Sequence, residues 1–116
     1  MKVLLCGGRG FIGRHIAAAQ RSAGHEVLST VSGHPGPGEM HVDFARDTTA
    51  AAWLPRLTGI DAVVNAVGVL RDSPRRSMAA VHLLAPMALF AACAQAGVRR
   101  VVHLSALGID AGSTTY

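Results

Sequence analysis

The sequence predicts an α/β fold, a doubly wound parallel sheet of about five strands with helices on both faces. Three observations predict it. Short apolar runs alternate with helical stretches along most of the 116 residues. Those runs are apolar on both faces, as strands covered from both sides must be. A glycine cluster at residues 7–13 joins the first run to the first helix.

The elements follow in order. Residues 2–6 (Lys-Val-Leu-Leu-Cys) read as a buried strand. Residues 11–23 read as a helix, with Gly24 as its stop. Residues 26–31 form the second strand, and the glycines and prolines of 33–38 make a loop. A brief third strand is expected at 40–43, then a short helix over 49–57 limited by Pro55. Residues 61–66 are the fourth strand. A long helix over 77–96 ends at Gly97, with a kink expected at Pro86, and residues 100–104 are the fifth strand. Right-handed crossovers and a switch point give the order 3-2-1-4-5, with the crevice between strands one and four. No repeat is visible, and residues 1–116 read as one domain.

Composition excludes several classes. Half the residues are hydrophobic and 16% are charged, which argues for a packed core and against disorder. The net charge of +4 is spread over scattered arginines, and aromatics are only 4%, so no nucleic-acid surface is expected. Cys6 and Cys93 lack metal-ligand spacing and read as buried free thiols of a reducing, cytoplasmic compartment. The six histidines show no zinc-like spacing. Residues 78–98 carry no formal charge and are long enough to cross a bilayer, but a strand pattern follows at once, so a helix on a sheet is expected and no transmembrane segment.

The glycine loop carries the chemistry. Gly7-Gly8-Arg9-Gly10-Phe11-Ile12-Gly13 fits two registers: Gly8, Gly10 and Gly13 as G-x-G-x-x-G, or Gly7, Gly10 and Gly13 as G-x-x-G-x-x-G. The physics is the same. An early glycine turns out of the strand, Gly10 lets a pyrophosphate approach the backbone, and Gly13 lets the helix pack close to the sheet. The free N–H groups of Phe11, Ile12 and Gly13 then face the anion. The motif follows a strand and opens a helix, which is the context a dinucleotide site requires. The second strand ends in Ser29-Thr30-Val31-Ser32 with no carboxylate to hold ribose hydroxyls, and Arg9 or Arg14 is placed to meet a 2′-phosphate. The expected cofactor is therefore NADP, with NAD possible. Either arginine also reads as a solvated charge.

Asn65-Ala66-Val67-Gly68 after the fourth strand, Ala96 to Ala106 through the fifth, and Val81-His82-Leu83 join the glycine loop in a wider pattern. Together they resemble the extended and atypical short-chain dehydrogenase/reductases, in the manner of nucleoside-diphosphate-sugar epimerase-like proteins. They are also similar to the nucleotide-binding accessory subunit of respiratory complex I. The resemblance implies an NAD(P)-binding Rossmann domain. It places Asp43 near the adenine, and Asn65, Ala66, Val67 and Gly68 along the adenosine, with Ser32 at the end of the second strand. Asp43 reads equally as a loop carboxylate opening a turn, and Asn65 as a strand cap.

The family's catalytic Ser/Thr and Tyr-x-x-x-Lys correspond here to Ser105 and Tyr116. Ala106 falls in or near the serine slot, His82 replaces the usual asparagine, and no lysine follows Tyr116. The expectation is a domain truncated at its C-terminus, without its substrate-binding part, that binds cofactor and by itself does not turn over. The function expected is the NAD(P)-binding domain of an oxidoreductase or sugar-nucleotide epimerase; the alternative is a non-catalytic NADP(H) sensor or scaffold. Family dimers pack the long helix against its copy. Met78, Val81, His82, Leu84, Ala85, Leu89, Ala92 and Cys93 are the residues available for such self-association, and some of them must face the sheet.

Overall fold

The computed structural model describes residues 1–67 and 84–104. Five strands pair in parallel: β1 (Lys2–Cys6), β2 (Glu26–Val31), β3 (Glu39–His41), β4 (Ala62–Asn65) and β5 (Arg100–His103). Their order is β3-β2-β1-β4-β5, the order expected. β1 lies at the centre, with Leu4 between Leu28 and Val63. α1 (Phe11–Ser22) links β1 to β2. α2 (Ala50–Trp53), a 3-10 turn (Leu54–Leu57) and α3 (Ala85–Ala96) make the other layer.

Alternation along the strands sends side chains to two cores. Leu4, Cys6 and Val63 join Phe44, Trp53 and Leu89 in the larger one. Leu5, Val27 and Ala66 meet Ala17 of α1 in the smaller. Trp53 is fully buried because its polar edge is satisfied: Nε1 donates to the Asp47 carbonyl at 2.8 Å. Phe44 packs edge-on to its ring, and the Arg56 guanidinium lies 4.9 Å from its centroid while pairing with Asp47 at 3.1 Å. Thr49 caps α2 through the Ala52 N–H. Pro55, without an N–H, tightens the chain into the 3-10 turn, which divides the helix expected over 49–57.

Three differences from the sequence expectations matter. β3 begins one residue before Met40, because the ladder already engages Gly38, whose carbonyl accepts from Ser29 N–H at 2.9 Å. β5 is exposed at every residue, Val101 and Val102 included, since it pairs only with β4 among the described residues. Pro86 stands in the first turn of the described part of α3, where no helical N–H is missed. The upstream arm that would show a kink lies outside the described residues. Of the residues available for self-association, Ala85, Leu89, Ala92 and Cys93 are core and are the ones that face the sheet. Leu84 and Met87 are exposed; Met78, Val81 and His82 lie outside the described residues. No helix among the described residues is long and apolar enough to cross a membrane.

Candidate functional site

Parallel strands bring their C-terminal ends to one edge, and the chain leaves β1, β2, β3 and β4 around a single cleft there. Its volume is about 230 Å³. Gly7, Arg9 and Gly10 line it from the glycine loop, Thr30, Val31 and Ser32 from β2, Val42 and Phe44 from beyond β3, and Ala66 and Val67 from beyond β4. Val31, Val42, Phe44 and Ala66 give it an apolar floor, and the glycine loop gives it a polar wall.

The glycines divide by what holds them. Gly7 turns the chain with φ +86° and lies so close to β4 that an added Cβ would stand 3.1 Å from Val67 N. A Cβ on Gly8 would meet Ser29 Cβ at 2.5 Å, and one on Gly13 would strike the Gly7 carbonyl. The fold itself therefore demands these three. Gly10 is different. Its φ is −68°, which any residue adopts, and a Cβ there would meet only Gly7 O, at 3.4 Å. Among the described residues, no other atom lies within 4 Å of that position.

Gly10 also stands at the N-cap of α1. Among the described residues no side chain caps this end, and the first turn holds no acidic residue. Arg14 N–H is the first to find an in-helix acceptor, the Gly10 carbonyl at 2.9 Å. The amides of Phe11, Ile12 and Gly13, in the first turn, have no in-helix acceptor and stand at the positive end of the helix dipole. An open backbone, free amides and a positive helix end fit a diphosphate.

Asn65 is fully buried at the end of β4. Its Oδ1 accepts from Val67 N–H at 3.1 Å, which fixes the amide so that Nδ2 donates to His103 Nδ1 at 3.1 Å. The imidazole then carries its proton on Nε2. Asn65 thus shapes the Ala66–Val67 wall and ties it to β5. Asp43 lies between Val42 and Phe44, but its carboxylate accepts from Ala45 N–H at 2.9 Å and sits 3.7 Å from Arg46, the geometry of a turn. Gly68, Ser105 and Tyr116 lie outside the described residues.

Arg9 reaches across the cleft rim and is held there. Nε donates to Glu39 Oε2 at 3.0 Å, and Nη2 to Glu39 Oε1 at 2.5 Å and to the His34 carbonyl at 2.7 Å. That hydrogen bond, first of all, keeps the Glu39 carboxyl below the usual carboxylate range. Neither Glu39 nor Phe44 announces itself in the sequence: Glu39 follows a glycine-rich loop and Phe44 follows an aspartate, and only the fold brings Glu39 to Arg9 and Phe44 to the cleft. The cysteines offer no nucleophile. Burial pushes the Cys6 thiol up to about 12 and that of Cys93 to about 11. No cluster of metal-ligating side chains occurs among the described residues.

Solved structures share this fold. A short-chain dehydrogenase/reductase superfamily protein from Agrobacterium tumefaciens, crystallised with bound NAD, is 28% identical with a TM-score of 0.72, covering 89% of this chain and 32% of that one. The oxidoreductase ylbE from Lactococcus lactis is 21% identical, TM-score 0.70, covering 89% of this chain and 47% of its own. UDP-N-acetylglucosamine 4-epimerase from Bacillus cereus is also 21% identical at TM-score 0.70, covering 89% and 37%. The chain thus spans less than half the length of these structures. No curated protein matches it. The model of the NAD dependent epimerase/dehydratase family matches residues 3–111, and the chain belongs to that family.

Proposed function

We propose that this chain is the NAD(P)-binding domain of a short-chain dehydrogenase/reductase-like oxidoreductase or nucleoside-diphosphate-sugar epimerase. The observation that carries the proposal is Gly10. It is a glycine that neither backbone angle nor packing requires, placed where free helix amides meet the cleft. The diphosphate rests on Gly10 and the amides of Phe11, Ile12 and Gly13. The adenosine lies over Val31, Ser32, Val42, Phe44, Ala66 and Val67, with Asp43 and Gly68 at its margin. The bound nicotinamide supplies the hydride chemistry. Ser105 and Tyr116 are assigned to that end by family resemblance alone.

We further infer a preference for NADP over NAD. β2 ends without a carboxylate, and Arg9 stands at the rim where a 2′-phosphate would project. Calorimetric titration with NADPH and NADH tests both readings. Tighter binding of NADPH is expected; tighter NADH would overturn the preference, and no heat from either would overturn the cofactor assignment. The two buried free thiols support a reducing, cytoplasmic setting. Exposed Leu84 and Met87 support self-association through the outward face of α3.

A further inference from the structure

We propose that Glu39 sets the discrimination between NADPH and NADH, by holding Arg9 in a neutral pair at the rim of the cleft. The inference rests on the dinucleotide reading of this cleft. Its basis is the way the Arg9 guanidinium is spent. Nε and Nη2 are consumed by Glu39 and the His34 carbonyl. Nη1 makes none of these bonds, and a Cβ on Gly33 would lie 3.8 Å from it. The free edge of the guanidinium therefore hangs over the loop that follows Ser32, where a ribose 2′ substituent is read in a fold of this kind.

Glu39 is anchored as firmly. Oε1 also accepts from Gly36 N–H at 2.7 Å, and Glu39 N–H donates to the Gly36 carbonyl at 3.0 Å. The glutamate side chain is 19% exposed against 54% for the arginine, so the carboxylate is the fixed partner and the guanidinium the outer one. The Arg9 hydrogen bond moves that carboxyl further below the usual carboxylate range, so it is charged at neutral pH.

A 2′-phosphate brings close to two negative charges to this rim; a ribose hydroxyl brings none. Arg9 attracts the phosphate, and the Glu39 carboxylate, a few ångströms further on, repels it. Their balance acts on NADPH and leaves NADH nearly untouched. β2 carries no acidic residue at its end, yet Glu39, joined through Arg9, returns a negative charge to the same region from the start of β3. Selectivity is then a property of the pair rather than of Arg9 alone.

The test is the ratio of NADPH to NADH affinity, measured by calorimetry at low salt on the whole chain. Glu39→Gln removes the charge and keeps Oε1 for the Gly36 N–H. It should raise NADPH affinity roughly five- to tenfold and leave NADH within about twofold, a gain that shrinks in high salt. Glu39→Asp keeps the charge and should keep the wild-type ratio. Arg9→Ala should lower the ratio by a similar factor. A purely structural role for Glu39 would weaken both cofactors together. An unchanged ratio in Glu39→Gln, with both cofactors still bound, overturns the proposal. A wild-type chain that binds neither cofactor overturns the dinucleotide reading and this inference with it.

Discussion

At Gly13 a methyl group has nowhere to go, because the Gly7 carbonyl fills the position and belongs to the backbone. Gly13→Ala should therefore cost about 3 kcal/mol of stability, measured by urea unfolding. Gly10→Ala should cost about 1 kcal/mol or less, since alanine is only a weaker N-cap there. The two glycines are indistinguishable as letters of a motif, and the motif named both; that Gly10 alone is free of internal demands needed the packing around it. Cys6 and Cys93 show the same division. Their surroundings marked them as buried, and burial is what raises both thiols. With folded pKa values above the ordinary thiol range, their contribution is fully present below about 8.5, where the unfolded thiols begin to ionise, and is lost as pH rises toward the folded values. Stability should thus fall above that pH, and neither thiol should react with an alkylating reagent in the native protein at pH 8. Prompt labelling under native conditions would contradict the burial.

α3 and the end of β4 carry the next tests. Leu89 is fully buried beneath the sheet, so Leu89→Ala should cost about 2–5 kcal/mol in urea unfolding. Met87, on the same helix, is 58% exposed, and Met87→Glu should leave stability within about 0.5 kcal/mol while shifting any dimer seen by light scattering toward monomer. Asn65→Ala strands the Val67 N–H and removes the tie to His103; about 1–3 kcal/mol should be lost. An unchanged midpoint would show that water replaces the amide. Apolar runs and glycine stops placed each strand and the end of α3 to within a residue or two. They did not show which face of α3 the sheet takes, since that helix is apolar almost all round. Nor did they show that Glu39 lies opposite Ser29, because the register of β3 depends on the path of a loop rich in glycine and proline.

Across the whole molecule, the strand order was legible because right-handed crossovers leave few doubly wound topologies, the dinucleotide glycine loop favours the one that reverses after β3, and the cleft falls at the reversal. The contents of the cleft were legible only where the family pattern is local, as in the glycine loop and at Ala66 and Val67. Phe44, Val42 and the partnering of Arg9 with Glu39 come from residues that fold together without a shared motif. The central claim, that this edge holds a dinucleotide by its diphosphate, is tested most directly by calorimetric titration of NADPH and NADH into the wild-type chain and into Gly10→Ala, with thermal melts of both proteins alongside. The account predicts saturable binding to the wild type and a loss of at least tenfold in Gly10→Ala for both cofactors, with a melting temperature lowered by no more than about 8 °C, since the methyl group would weaken diphosphate binding by roughly the 1.4 kcal/mol that a factor of ten represents, or more. Equal affinity in the two proteins, or no binding to the wild type, would contradict it.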